Sequence, residues 1–315
     1  MNAVATQLAQ IALVLALAPL LTGFVRVVKA RLVGRRGPPL FQPYRDLARL
    51  LRKEAVLAPN ASWLFRAAPY LVFALTWLTA ALVPGATAML ALGPTADLIA
   101  LIAILASARF LLALAGMDVG TAFGGIGSSR EVMFAAIAEP AMLMVTFTVA
   151  LVAGSTALPE IARFVIGGGV GLEVSLALAL IALVMVAVAE NGCIPVDNPA
   201  THLELTMVRE AMVLEYSGRH LAMIEAAAML RLLAHAALIA CIFAPWGMAL
   251  SADPAALIWG LASFVGKMAV AGVALAVFET SIAKMRVFRV AEFLGGALML
   301  ALIGTVVRLM SEGLG

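Results

Sequence analysis

Long uninterrupted apolar stretches are the feature of this 315-residue sequence that most restricts its fold. A helix needs about 20 mostly apolar residues to cross the roughly 30 Å hydrocarbon core of a bilayer. Such runs occur at eight places, near residues 5–25, 67–83, 96–115, 132–153, 172–189, 226–243, 256–278 and 291–307. Only 12% of the residues are charged and the mean hydropathy is +1.07, which leaves little for a soluble surface. The sequence therefore predicts an all-α integral membrane protein with eight transmembrane helices, forming a single polytopic domain over residues 1–315.

Lysine and arginine are distributed unevenly between the loops, and this distribution predicts the orientation. Cytoplasmic loops of multi-pass proteins carry an excess of basic residues. Ten lie between the first and second apolar runs, and loops three, five and seven carry further ones, whereas the other loops and the C-terminal tail contain only Arg163 and Arg308. We therefore expect both termini on the non-cytoplasmic side of the membrane and the odd-numbered loops in the cytoplasm.

The first loop, residues 26–66, contains a second regular pattern. Within it, apolar residues recur at helical spacing and basic residues occupy the other side. The apolar set is Phe41, Tyr44, Leu47, Leu50 and Leu51, and the basic set is Arg45, Arg49, Arg52 and Lys53. The pattern predicts a short amphipathic helix in the cytoplasmic interface. Its basic side could bind anionic lipid or dock a partner subunit.

The third loop, GMDVGTAFGGIGSSREVMF, is rich in glycine. It has neither the GxxxxGK[ST] motif nor a preceding strand, so phosphate binding is not indicated. We expect a flexible turn with a serine cap before the fourth helix, which should begin near residue 132.

Ionisable side chains within the apolar runs are candidate functional residues, because an unpaired charge inside a bilayer is costly. The set is Arg109, Glu139, Glu190, Glu225, Arg231, His235, Lys267 and Glu279. Glu139 lies deep in its run and precedes Pro140, which favours a role in proton transfer. Carboxylates near helix ends could instead pair with basic residues, as Glu279 could with Lys284 or Arg286. The basic members could neutralise carboxylates within the bundle or extend to the interface.

The fifth loop, residues 190–224, concentrates acidic residues in a chain that has few. These are Glu190, Asp197, Glu204, Glu210 and Glu215. There is no Ser-His-Asp order and no HExxH motif, so neither nucleophilic catalysis nor a zinc site is indicated. From residue 201 onward the loop is helical in pattern and too apolar to be free in solvent. We expect it to fold against the bundle or under a partner protein.

The cysteine and histidine content argues against a resident redox cofactor or metal. Cys193 and Cys241 are far apart and form no CxxC motif, and only His235 falls within an apolar run. An iron–sulfur cluster, a structural zinc site and a bis-histidine haem therefore lack ligands. We expect no cofactor in this chain, and nothing in the sequence indicates a nucleic-acid partner.

Five ordered motifs carry a resemblance to a known family. They are Arg36-Gly37-Pro38, Gln42-Pro43, Lys53-Glu54, Gly127-Ser128-x-Arg130 and Glu190-x6-Asp197, with Glu139 nine residues after Arg130. Together with the eight spans they resemble the H-subunit (mitochondrial subunit 1) family of respiratory complex I. The segments GPPLFQPYRDL and AENGxIPVDNPATHLELTMVxEAMxLEYSG are more similar to the membrane subunit of energy-converting nickel–iron hydrogenases, of the formate hydrogenlyase subunit 4 type.

The resemblance implies a subunit that anchors a peripheral redox arm and links electron transfer to proton or sodium movement. Residues carried over as an acidic path are Glu139, Glu190, Asp197, Glu204 and Glu215. Arg130 is implied as a basic partner of this path, while Arg35, Arg36 and Arg45 would lie under the peripheral arm. Arg109 and Lys267, which lie within the apolar runs, are candidate counter-charges.

The resemblance also implies the partners and the location. The partners would be a nickel–iron large subunit and an iron–sulfur small subunit on the cytoplasmic face, with antiporter-like subunits beside the chain in a bacterial or archaeal cytoplasmic membrane. One departure is Cys193, where the family pattern has arginine. Loss of that guanidinium should remove a partner of Glu190 or Asp197 and raise the affinity of that carboxylate for a proton.

Three other functions remain open from the sequence. The first is a quinone-site subunit of a complex I-type NADH dehydrogenase, although the first and fifth loops differ in length from the usual pattern. The second is a self-sufficient secondary ion transporter. The third is a passive scaffold whose carboxylates serve only in docking.

Overall fold

The computed structural model describes residues 3–169, 173–193, 208–251, 253–282 and 287–313. Within these ranges the chain is helical, without a strand, and has one short 3₁₀ turn at Gly93–Thr95. The helices are α1 (Ala3–Leu32), α2 (Gln42–Leu51), α3 (Trp63–Leu82), α4 (Leu98–Asp118), α5 (Ala122–Ala153), α6 (Leu158–Ile166), α7 (Val174–Glu190), α8 (Arg209–Val213), α9 (Gly218–Phe243), α10 (Pro254–Ser281) and α11 (Val287–Gly313).

Seven of the described helices are long and apolar enough to cross a membrane: α1, α3, α4, α5, α9, α10 and α11. They coincide with seven of the eight predicted runs. The remaining run, near 172–189, forms α7, which has 17 residues. At 1.5 Å per residue, α7 is roughly 26 Å long, slightly less than the hydrocarbon thickness.

The helices differ greatly in how much of their surface other helices cover. Of the most apolar 18-residue window, 72% is buried in α9, but only 22% in α10 and 28% in α11. Helix α9 packs against α1, α3 and α7, whereas α11 packs on α5 and α7 and α10 packs mainly on α1. The centre of the bundle is therefore α9, and the last two helices leave broad apolar faces uncovered.

The glycine-rich segment is helical, so the prediction of a flexible turn ending in a serine cap is wrong. Helix α5 begins at Ala122, and Thr121 caps it by accepting from the Gly124 N–H at 3.3 Å. A side chain at Gly124 would collide with the Gly116 carbonyl oxygen of α4. The glycines therefore allow close helix packing, as small residues do between membrane helices.

The segment before α3 and the segment before α9 contact each other at one end of the bundle. The Ser217 hydroxyl donates to the Val56 carbonyl at 3.1 Å and accepts from the Val56 N–H at 2.8 Å. The ring of Tyr216 stacks on Phe65, with centroids 4.0 Å apart, and its hydroxyl donates to the Phe65 carbonyl. The described parts of loops one and five thus form one continuous surface.

The first loop contains the ten-residue helix α2, which contacts the bundle on one side. The Tyr44 hydroxyl donates to the Ala16 carbonyl of α1, and Pro43 is buried. Arg45 and Arg49 are exposed on the other side of α2.

Candidate functional site

A buried arginine on α4 lies between two carboxylates from other helices. Arg109 Nε donates to Glu131 Oε1 of α5 at 3.0 Å, and Arg109 Nη1 donates to Glu190 Oε1 of α7 at 2.6 Å. The side chains of Arg109 and Glu190 are only 4% and 5% exposed. An unpaired guanidinium at this depth would be costly, and the two carboxylates compensate it by separate nitrogens of the same planar group.

Helix α9 adds two further polar side chains to this site. Arg231 and His235 are four residues apart, so they share one face of the helix, and both are buried. His235 Nε2 lies 3.2 Å from Glu190 Oε2, the carboxylate oxygen that Arg109 does not bind. We refer to Arg109, Glu131, Glu190, Arg231 and His235 as the central charge cluster.

A small cavity lies inside the central charge cluster. Its volume is about 20 Å³, and Glu131, Glu190 and Arg231 contribute to its wall. That volume is sufficient for a single water molecule when polar partners surround it. Arg231 Nε is buried and has no hydrogen-bond partner among the described residues.

The formal charges of the central charge cluster balance when His235 is neutral. Two guanidinium groups face two carboxylates, and all five side chains come from helices of the bundle interior. A buried, charge-balanced set of this kind can be a purely structural ion-pair network. It can also bind and release a proton when the surrounding charge changes, because its low-dielectric surroundings amplify such changes.

The structure places the sequence-predicted acidic residues at different positions relative to the cluster. Glu190 is a member. Glu139 is half-buried on α5, eight residues after Glu131, and interacts electrostatically with Arg109 without forming an ion pair in the described part of the chain. Glu215 is exposed just after α8. Asp197 and Glu204 lie outside the described residues.

The predicted basic residues also separate into different groups. Arg109 is the centre of the cluster, and Arg130 is half-buried on α5 beside Glu131. Arg35, Arg36 and Arg45 are exposed, at the end of the bundle that carries loop one. Lys267 lies on α10 and is not a member of the cluster.

Lys267 faces a large chamber between α1, α7, α9 and α10. The chamber has a volume of about 790 Å³ and mostly apolar walls. Its polar wall residues include His235, Lys267, Asn191 and Cys193. His235 therefore contacts Glu190 on one side and the chamber on the other.

Cys193, the position where the family pattern has arginine, is buried beside an ion pair. Lys29 Nζ lies 2.5 Å from Glu279 Oε2, and Glu279 is also a neighbour of the Cys193 thiol. Burial and the Glu279 carboxylate raise the pKa of the Cys193 thiol above its usual range. Glu279 thus pairs with Lys29, while its predicted partners Lys284 and Arg286 lie outside the described residues.

The expected loss of a partner at position 193 does not leave Glu190 unpaired. Arg109 from α4 supplies a guanidinium at 2.6 Å, from a helix distant in sequence. The sequence alone could not show this, because α5, α6 and most of α7 separate residues 109 and 190.

The sequence did not indicate Glu131 as a site residue, and it named Arg231 and His235 as candidates without assigning them to the acidic path or its partners. The glycine-rich pattern places Glu131 at the end of a flexible turn, and only the start of α5 at Ala122 brings it onto a helix face next to α4. Arg231 and His235 are intramembrane ionisable residues, and their spacing of four is the signal that they share a face.

Comparison with known proteins gives matches over nearly the whole chain. Residues 5–309 match the family model described as NADH dehydrogenase. Formate hydrogenlyase subunit 4 of Escherichia coli (strain K12) is 34% identical over 279 residues, which cover 89% of this chain and 90% of that protein. Hydrogenase-4 component C of the same organism is 32% identical over 279 residues, covering 89% and 87%.

More distant matches extend the same pattern. The H subunit of the NADH-quinone oxidoreductase of Salinibacter ruber (strain DSM 13855 / M31) is 28% identical over 211 residues, covering 64% of this chain and 60% of that protein. Among solved structures, a chain in the membrane-bound sulfane sulfur reductase, an archaeal respiratory membrane complex, has a TM-score of 0.81 at 21% identity. That match covers 96% of this chain and 98% of the other. At this identity the likeness shows the fold alone.

Proposed function

This chain belongs to the NADH dehydrogenase family, which includes the H-type membrane subunit of complex I, and we propose that it is the membrane anchor and coupling subunit of a hydrogenase complex. Its relatives are subunits of hydrogenase and respiratory membrane complexes, so partner subunits are implied. The two hydrogenase relatives match 89% of the chain, whereas the quinone oxidoreductase relative from Salinibacter ruber matches 64%. This difference favours the hydrogenase role over that of a quinone-site subunit.

In this proposal, the electron carriers belong to the partners. A nickel–iron large subunit and an iron–sulfur small subunit sit on the cytoplasmic face, and antiporter-like subunits lie beside the chain in the cytoplasmic membrane. The chain itself changes the protonation of its buried carboxylates when the charge of the neighbouring redox arm changes. Proton or sodium movement follows from those changes.

The topology needed for this role is eight spans with both termini on the non-cytoplasmic side. Helix α7 is the additional span that brings the number from seven to eight. It is tilted little, because its 17 residues barely cover the hydrocarbon thickness. Helix α2 lies in the cytoplasmic interface with Arg45 exposed. The joined surface of loops one and five then carries Arg35 and Arg36 toward the peripheral arm.

The observation that carries the proposal is the position of Arg109 between Glu131 and Glu190. These two carboxylates belong to α5 and α7, and the segment after α7 is the acidic fifth loop. A path from Glu215, Asp197 and Glu204 to Glu190 would therefore end at a buried, charge-balanced site. Glu139, with its electrostatic link to Arg109, would continue the path into α5, and Arg130 would balance it at the cytoplasmic end.

The test is ion translocation by the intact complex in proteoliposomes, measured per turnover of the hydrogenase. Glu190→Gln and Glu139→Gln should lower the ratio of ions moved to turnovers while the complex still assembles. Glu160→Gln is the matched control, since Glu160 is an exposed carboxylate on α6. An unchanged ratio in both buried variants would rule out the relay, and loss of assembly instead of coupling would favour a scaffold.

A further experiment separates the transporter alternative. The purified chain, reconstituted alone, should not catalyse ion uptake, because the proposal derives the driving force from the partners. Uptake by the isolated chain would favour a self-sufficient secondary transporter.

A further inference from the structure

The contact between Glu190 and His235 has a geometry that two hydrogen-bond acceptors would not adopt. Nε2 of His235 and Oε2 of Glu190 are 3.2 Å apart, and both atoms are buried. Neither atom has another hydrogen-bond partner among the described residues. Two lone pairs facing each other at this distance repel, and both groups also lose their hydration, which costs free energy.

The contact of the other ring nitrogen of His235 determines which nitrogen carries the hydrogen in the neutral ring. Nδ1 lies 2.9 Å from the backbone carbonyl oxygen of Arg231, one turn earlier on α9. A carbonyl oxygen can only accept, so Nδ1 must carry a hydrogen and donate it. In the neutral ring, Nε2 is then the unprotonated nitrogen, and it faces the carboxylate.

One added proton removes this repulsion. With that proton on Glu190, the carboxylic acid donates to Nε2; with the proton on His235, the imidazolium donates to the carboxylate. Moving between the two states breaks the Oε2–H bond and forms the Nε2–H bond, with the electron pair left on the carboxylate oxygen. No other bond changes and no electron leaves the pair.

Charged groups from several helices surround the pair. Arg109 on α4 bonds Glu190 and also Glu131 on α5, and Glu139 on α5 acts on Arg109 electrostatically. Arg209 on α8 and Arg231 on α9 line the small cavity beside Glu190, and Lys267 on α10 lines the large chamber with His235. On α1, Leu21 and Val25 line the chamber with apolar side chains. Uptake of the proton adds one positive charge to the site.

We propose that Glu190 and His235 form a proton-binding site that holds one proton between Oε2 and Nε2, with the imidazole connecting this site to the large chamber. The inference rests on the proposed coupling function and adds a specific loading site to it. Arg109 holds the opposite carboxylate oxygen, so Oε2 remains directed at the imidazole. A change of charge in a partner would then shift the occupancy of this one proton.

The location of His235 on the chamber wall allows a direct chemical test. His235→Ala leaves a gap next to Glu190 that is continuous with the chamber, and free imidazole is small enough to enter it. In the reconstituted complex, His235→Ala should lower the ratio of ions moved to turnovers at least about tenfold, because a positioned proton-transfer group contributes about 10²–10⁴-fold to the rate of its step. Added imidazole should restore the ratio to at least half of its native value.

Two further variants keep the test independent of folding. His235→Gln retains a buried polar side chain but cannot bind the proton, so it should assemble normally and show the same loss without rescue by imidazole. His220→Ala removes the other described histidine of α9, which lies against Tyr70 rather than the cluster, and it should show no imidazole response.

The outcomes separate this inference from the proposed function. If Glu190→Gln uncouples the complex but His235→Gln couples like the native protein, the coupling function stands and the loading site is wrong. The loading site is also wrong if His235→Ala assembles, loses coupling and does not respond to imidazole, or if both His235 variants fail to assemble. If Glu190→Gln alone leaves coupling unchanged, the loading site is wrong, and if Glu139→Gln also leaves it unchanged, the proposed function itself fails.

Discussion

Arg109 Nη1 donates to Glu190 Oε1 at 2.6 Å, and this bond joins the middle of α4 to the last residue of α7. A second bond from Nε of the same guanidinium joins α4 to Glu131 of α5. One side chain therefore connects three helices at the point where the acidic fifth loop begins. Loss of this side chain would therefore affect the packing of all three helices, because neither carboxylate can lose its partner without a cost in free energy.

Replacement of Arg109 should destabilise the protein strongly. Arg109→Met removes the guanidinium partner of both Glu131 and the buried Glu190, and we expect a loss of about 3–5 kcal/mol in unfolding free energy. Arg109→Lys should have an intermediate effect, because one ammonium group cannot reproduce two bonds from a planar guanidinium. The measurement is thermal unfolding of the detergent-solubilised complex.

Two controls make the Arg109 comparison specific. Arg163→Met removes an exposed arginine on α6 and should change stability by less than about 0.5 kcal/mol. The triple variant Arg109→Met, Glu131→Gln, Glu190→Gln removes the buried charges together and should recover part of the loss. If Arg109→Met unfolded at the same temperature as the native protein, the central role of this residue would be contradicted.

The glycine-rich start of α5 predicts a contrast between adjacent residues. Gly124 approaches the Gly116 carbonyl of α4 so closely that Gly124→Ala forces the helices apart, with an expected loss of about 1–3 kcal/mol. A side chain at Gly125 would meet no atom within 4 Å. Gly125→Ala should therefore stabilise the helix by up to about 1 kcal/mol, the difference in helix propensity. Equal effects of the two variants on thermal unfolding would show that α4 and α5 do not pack this way.

The sequence was sufficient to predict the class of fold and seven of the helices long enough to span a membrane, because each span is a local run of apolar residues. It did not predict that α5 begins at Ala122. The glycines there have low helix propensity, and their value lies in contacts with α4 that no local pattern contains. Arg109 is recognisable as a possible counter-charge, but its partners depend on which faces of α4, α5 and α7 meet, and periodicity does not determine that.

The joined surface of loops one and five should be sensitive to Gly218. This residue has φ +53°, and a Cβ there would collide with the Glu54 carbonyl oxygen. Gly218→Ala thus suffers both backbone strain, about 1–3 kcal/mol, and a clash that pushes the loops apart. We expect weaker retention of the peripheral arm, measured as the fraction of partner subunits that co-purify with the membrane chain.

Gly34 offers the matched control for this prediction. Its φ of +72° is similar, but a Cβ there would meet no atom within 4 Å. Gly34→Ala carries the same kind of backbone strain without the clash, so it should retain more of the peripheral arm than Gly218→Ala. Equal retention would mean that the contact with Glu54 does not contribute to docking.

The thiol of Cys193 should react slowly with maleimides because its pKa is raised. Burial has the largest effect and the Glu279 carboxylate adds to it, whereas Lys29 acts in the opposite direction. A raised pKa keeps the thiol protonated at neutral and mildly alkaline pH, and only the thiolate is the nucleophile. In a Cys241→Ser background, which leaves one cysteine in the chain, labelling should be slow and should accelerate only toward strongly alkaline pH.

A substitution of Glu279 tests the cause of this slow labelling. Glu279→Gln removes the carboxylate that disfavours the thiolate and frees Lys29 from its ion pair, so both changes lower the pKa of the Cys193 thiol and shift the labelling profile to lower pH. Labelling is followed by mass shift over a pH series, with Cys193→Ser in the same background as the blank. A profile unaffected by Glu279→Gln would contradict the placement of the thiol beside the Lys29–Glu279 pair.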